Sequence, residues 1–140
     1  MTIFESYGTL KYRSEGWITL FCCPDLARYY QAQIKVKPQL IQAPMHGSHI
    51  TVCNGRWETI TNQGAWKKYQ NKKIWFSYSN EIVSDKRFFW LSVTCGFIHK
   101  IRKELGLIEL SKHPILKRGL HLTLARKMDY FPGDKKNATV

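Results

Sequence analysis

The chain lacks a long apolar run. Nothing in its 140 residues approaches the roughly 20 consecutive apolar side chains of a membrane span. Its first residues, Met1-Thr2-Ile3-Phe4-Glu5-Ser6, lack the basic-then-apolar order of a secretion signal. Both absences predict a soluble, cytoplasmic protein. Cysteine is sparse: Cys22, Cys23, Cys53 and Cys95 form no Cys-x-x-Cys pair and lie in or beside apolar runs. They read as reduced, buried, structural thiols. Acidic residues are scarce, with 10 Asp and Glu against 22 Lys and Arg, for a net charge of +12. Such a balance suggests an anionic partner, most often nucleic acid, a nucleotide or a phosphorylated ligand. A merely soluble surface carries the same charge. At 44% hydrophobic residues the chain has enough for a core, and its length suits one domain or two small lobes sharing one.

Residues 1–16 are polar and turn-rich, with Tyr7 and Tyr12 interspersed. Trp17 to Cys22 reads as a strand. Pro24 suits a first helical turn, and Leu26, Tyr30 and Ile34 recur at helical spacing, predicting a helix over about 24–34. A loop with Pro38 and Pro44 follows. Asn54-Gly55 marks a turn, and 56–80 is a basic, aromatic middle whose Ile74–Ser79 portion looks extended. Residues 80–86 read as a connection and Phe88 to Val93 as a strand. A helix over about 96–105 puts Ile98, Ile101 and Leu105 on one face, and Gly106 is placed to end it. The tail, 129–140, is polar.

Two short stretches carry the chemistry. In Gly47-Ser48-His49-Ile50-Thr51-Val52, Ile50 and Val52 alternate with His49 and Thr51. In Arg118-Gly119-Leu120-His121-Leu122-Thr123-Leu124-Ala125, Leu120, Leu122 and Leu124 alternate with His121 and Thr123. Period-2 alternation predicts half-buried strands, each holding an imidazole and a hydroxyl side by side on its polar face. From Trp17 to His49 is 32 residues, and from Trp90 to His121 is 31. The order strand, helix, loop, His-x-Thr strand thus occurs twice. This predicts two similar halves, about 10–80 and 81–130, within one domain over 1–140, presenting His49 and His121 to one cleft.

Two opposed histidines suit metal-free phosphodiester cleavage. One takes the proton of the incoming oxygen and the other protonates the leaving oxygen, because imidazole populates both states near neutral pH. Thr51 and Thr123 would donate hydrogen bonds to the non-bridging oxygens. Which histidine is the base stays open in the sequence. His46 could support the site from behind, while His99, on a basic helix, and His113, in a loop before Pro114, read as solvated.

These motifs resemble those of the 2H phosphoesterase superfamily, whose signature is two His-x-Thr/Ser motifs. Within it the chain looks most like the small phage-encoded anti-CBASS phosphodiesterases. The likeness lies in its length, His46-Gly47-Ser48-His49-Ile50-Thr51-Val52, Trp90-Leu91-Ser92-Val93, Ile101-Arg102-Lys103-Glu104-Leu105-Gly106-Leu107 and Leu120-His121-Leu122-Thr123, over about residues 7–126. The resemblance implies an α+β, bilobal, duplicated (LigT-like) fold, with antiparallel sheets forming a central cleft and helices outside. It implies cleavage of 3′–5′ bonds in cyclic di- and trinucleotide messengers, with the ribose 2′-hydroxyl as nucleophile and neither metal nor cofactor. It also implies a role in the cytoplasm of a bacterial host, where destroying the messenger would silence an antiphage response.

The aromatics fit a ligand that exposes bases. Tyr12 and Trp75 are the stacking candidates, and Lys72, Lys73 and Arg126 could hold phosphates. Against this, Trp57, Trp66, Trp75 and Trp90 could equally be core, and the three cations solvated surface. Three other functions stay open: a 2H enzyme acting on RNA ends or 2′,3′-cyclic phosphates, a nucleotide-binding protein without activity, and a zinc enzyme using His46, His49 and His121. A zinc site from His46, His49 and a cysteine would lack a second close ligand pair.

Overall fold

The computed structural model describes residues 2–35, 41–44 and 47–128. His46, the Pro38 part of its loop and the 129–140 tail lie outside them. Seven strands and two α-helices follow one another: β1 (Ile3–Tyr12), β2 (Ile18–Cys22), α1 (Pro24–Gln31), β3 (Ile41–Gln42), β4 (His49–Cys53), β5 (Lys73–Ser84), β6 (Phe88–Thr94), α2 (Gly96–Glu104) and β7 (His121–Lys127). All pairings are antiparallel. Around the sheet the order is β7-β4-β2-β1-β5-β6, and β6 pairs with β7 again, so six strands close into a barrel. β3 adds to β7 beyond the end of β4.

This closure corrects the expected bilobal, duplicated α+β fold. The molecule is one closed, mostly-sheet barrel with two α-helices among the described residues. β7 bonds β4 along one edge and β6 along the other, so no pair of separate sheets remains. Two segments expected to be irregular supply much of the wall. The polar start of the chain is the ten-residue β1, and 80–84, expected as a connection, continues the twelve-residue β5.

The registers align one apolar row through five strands: Leu10 faces Leu20, Leu20 faces Ile50, Ile50 faces Leu122, and Leu122 faces Leu91. All five are fully buried. Each contributes about 1.5–3 kcal/mol by leaving water. Ile98 and Ile101 of α2, Leu105 just past its end, and Ala27 and Tyr30 of α1 join the same cluster. The helices therefore cover the leucine face. Because strand side chains alternate, the histidines and threonines occupy the other one. Gly8 is required by close approach, since a Cβ there would lie 2.7 Å from the Phe21 carbonyl oxygen on β2.

α1 begins at Pro24, where the missing N–H is no loss. Ser48, just before β4, is buried; its Oγ accepts from Ala27 N–H at 2.9 Å and donates to the Pro24 carbonyl at 3.1 Å. One hydroxyl so ties the first turn of α1 to the start of the first His-x-Thr strand. α1 ends at Gln31, short of the expected Ile34. α2, Gly96–Glu104, ends a residue before the expected limit. No described helix is long and apolar enough to cross a membrane.

Candidate active site

β4 and β7 are neighbours, paired at Ile50 and Leu122. In an antiparallel ladder one step each way from that pair sets His49 opposite Thr123 and Thr51 opposite His121. Flanking registers extend both rows. Phe21 pairs with His49 and Thr123 with Trp90; Thr19 pairs with Thr51 and His121 with Ser92. One face of β2-β4-β7-β6 thus reads Phe21–His49–Thr123–Trp90, with Thr19–Thr51–His121–Ser92 beside it. The histidines are diagonal neighbours, which sheet geometry puts about 7–8 Å apart. All four motif side chains are part-buried, while Thr19 and Trp90 are buried.

Both imidazoles are oriented by one device. Nδ1 of His49 lies 3.0 Å from the Gly47 carbonyl oxygen, and Nδ1 of His121 lies 2.9 Å from that of Gly119. A carbonyl can only accept, so Nδ1 carries the proton in each ring and Nε2 carries the lone pair when the ring is neutral. Both glycines have positive φ, +66° for Gly47 and +85° for Gly119. A Cβ at either would meet nothing within 4 Å, so backbone angle rather than space favours glycine there. Sequence reading quoted these glycines but gave them no role; the repeated Gly-x-His-x-Thr spacing was the available signal.

The surroundings of His121 shift its titration. Burial holds its imidazole below the ordinary value of 6.5. The Gly119 carbonyl opposes that shift, the Arg118 guanidinium and His49 reinforce it, and Asp85 opposes it weakly. Arg118 lies 4.0 Å above the Trp90 ring and forms an ion pair with Asp85. Trp90 in turn meets the His121 ring edge-on at 6.3 Å. Asp85 is pushed up by burial, but the N–H groups of Arg87 and Phe88 and the charges of Arg118 and Lys127 outweigh this and hold it below 3.8. Sequence reading missed Arg118 and Asp85, which come together only through the β6–β7 pairing. A cavity of about 450 Å³ opens at Thr51 and His121, bounded also by Arg87, Phe88, Lys117 and Arg118.

The other sequence candidates scatter. Tyr12 is corrected as a stacking residue: it is 6% exposed, packs edge-on to Trp66 at 5.0 Å, and its hydroxyl accepts from the Tyr69 N–H. Trp75 is 57% exposed, beside Tyr7 at 4.9 Å and beneath Lys73 Nζ at 5.2 Å, but on β5, away from both histidines in the register. Lys72 lies over Phe97 of α2, and Arg126 bonds Gln42 of β3. Arg126 also pairs in the ladder with Phe88, three positions beyond Thr123 on β7. His99 is exposed as expected, but His113 is buried, its Nδ1 accepting from Ile115 and Leu116 N–H at 3.1 and 3.0 Å. Cys22, Cys53 and Cys95 are buried and free, whereas Cys23 is exposed, against expectation. Among the described residues no three His, Cys, Asp or Glu side chains gather as a metal group.

No family model, curated protein or solved structure matches the chain.

Proposed function

We propose that the protein is a metal-independent phosphodiesterase of the two-histidine kind, cleaving 3′–5′ bonds in cyclic di- or trinucleotides. The observation that carries this reading is the pair of rows on β4 and β7: two imidazoles, each held through Nδ1 by a glycine carbonyl, set diagonally and each facing a threonine across the ladder. His121, kept below its ordinary pKa by burial, is the base and takes the 2′-hydroxyl proton. The 2′ oxygen attacks phosphorus and the bond to the 5′ oxygen breaks. Protonated His49 gives its Nε2 proton to that leaving oxygen, and a 2′,3′-cyclic phosphate end results. Thr51 and Thr123 steady the non-bridging oxygens, where charge gathers in the transition state. The motif resemblance supports cyclic messengers as substrate and evasion of host antiphage signalling as the biological role. The reading rests on the site and motifs, not on a bilobal fold.

The test is incubation of purified protein, in EDTA, with a panel of cyclic di- and trinucleotides and an RNA bearing a 2′,3′-cyclic phosphate, products being resolved by mass. Linearised cyclic nucleotides are expected. Product from the RNA alone would move the function to RNA ends, and activity lost to EDTA would overturn the metal-free mechanism.

The roles also predict a pH signature. The base must be neutral, so kcat/KM falls as pH drops through the His121 pKa, an acid limb lying below 6.5. Arg118→Gln removes a cation that disfavours protonation, so it should raise the His121 pKa and move that limb to higher pH. The His121 Cε1–H proton resonance, titrated by NMR, reports the pKa directly. An unmoved titration, or a flat rate profile from pH 5 to 8, would remove His121 from the role of base.

A further inference from the structure

The cavity at Thr51 and His121 shares a wall with a larger one. This second cavity, about 860 Å³, lies between α2 and the segment 107–120. Lys117, Arg118 and the buried Arg102 belong to both. Away from the shared wall the larger cavity adds Lys100 and Lys103 of α2, both exposed. Its one lining carboxylate, Glu109, pairs with Lys112 at 3.6 Å. The other carboxylates near α2 are engaged elsewhere: Glu104 with Lys68 and the Tyr69 hydroxyl, Glu58 with Arg102. Arg102 and Arg118 are matched, by Glu58 and Asp85, but Lys100, Lys103 and Lys117 make no ion pair among the described residues and focus a positive potential in the concavity. Arg102 itself is turned to Glu58 and to the Val52 and Ile108 carbonyls, so the exposed lysines and Arg118 are the cations that face the space.

The geometry points to a second phosphate subsite beside the reactive pair, lined by Lys103, Lys117 and Arg118. The inference rests on the phosphodiesterase reading and deepens it, because it requires a substrate with at least two phosphodiester groups. One phosphate reacts between His121 and His49 while the next is held in the basic cavity, with Arg118 standing between the two positions. A cyclic dinucleotide or an RNA strand supplies the second phosphate; a dinucleoside monophosphate, with its 2′-hydroxyl and one phosphodiester, does not.

The test compares kcat/KM for 2′-hydroxyl attack on a dinucleoside monophosphate, a cyclic dinucleotide and a short RNA strand. The variant is Lys103→Glu/Lys117→Glu, and the charge-matched control on α1 and its exit is Arg28→Glu/Lys35→Glu. The subsite variant should lose about tenfold or more on a two-phosphate substrate beyond any loss on the dinucleoside monophosphate. Excess loss on the cyclic dinucleotide identifies a cyclic ligand, and excess loss on RNA alone identifies a strand. Equal loss on all three, or the same loss in the control, overturns the subsite. If the native protein turns over none of them, the phosphodiesterase reading fails by itself. The subsite is then decided by calorimetry with a phosphorothioate-linked cyclic dinucleotide, where equal affinity of variant and native protein would overturn it.

Discussion

His121→Ala and His49→Ala should each lower turnover of a cyclic dinucleotide by roughly 10²–10⁴-fold, the range for a lost general base or acid. Structural damage should be small by comparison. The hydrogen bond from each imidazole to its glycine carbonyl is worth about 0.5–1.5 kcal/mol. His121 is also desolvated, so its alanine variant loses some packing as well. A thermal melt separates this from chemistry, and His121→Gln provides a second variant with an amide donor but no base. Affinity for a phosphorothioate-linked analogue should stay within a few-fold of native, since the threonines and cations remain. Acid and base serve one step, so the double variant should be little worse than the worse single one. Near-native turnover in either single variant, with the fold intact, would end the two-histidine mechanism. Thr51→Val and Thr123→Val make the companion test, with about 10²–10³-fold expected if each donates to the developing charge.

The parts of the site legible in sequence were those with local periodicity. Ile50 and Val52 alternating with His49 and Thr51, and Leu122 and Leu124 with His121 and Thr123, announced two strands and their polar faces. That these strands adjoin depends on a single ladder between residues 72 positions apart, Ile50 and Leu122, and alternation within a strand carries no partner information. Closure of the barrel was illegible for the same reason. β1 was lost to its polar composition. Yet Leu10-Lys11-Tyr12 already alternates, and taken as a strand it would have sent Tyr12 to the packed face with Leu10. His113 shows a related limit. A histidine before a proline looks like loop surface, but here the imidazole accepts two backbone N–H groups and is buried by the turn it holds.

Arg102→Leu is expected to cost about 3–5 kcal/mol of stability, a large share of the ~5–15 kcal/mol that holds a typical domain. Arg102 falls in the apolar stripe of α2, beside Ile98, Ile101 and Leu105, and it is 2% exposed. Its guanidinium meets Glu58 through both carboxylate oxygens, at 2.9 and 2.5 Å. It also donates to the carbonyls of Val52 at 2.8 Å and Ile108 at 2.7 Å. Glu58 Oε1 in turn accepts from Asn54 N–H at 3.0 Å. One side chain therefore fastens α2, the end of β4 next to Thr51, the 54–58 turn and the start of the 107–120 segment. Leucine would fill most of the space but leave Glu58 buried and uncompensated, and that orphaned charge is the main cost. The melting temperature should fall by roughly 10–20 °C. Arg102→Leu/Glu58→Leu should regain part of the loss, because removing both charges also removes the desolvated anion, although the Val52 and Ile108 carbonyls stay unpaired. The two melts together discriminate: a double variant no more stable than Arg102→Leu would place the cost in those two carbonyl bonds, and a single variant within 1 kcal/mol of native would mean that the ion pair does not fasten these segments.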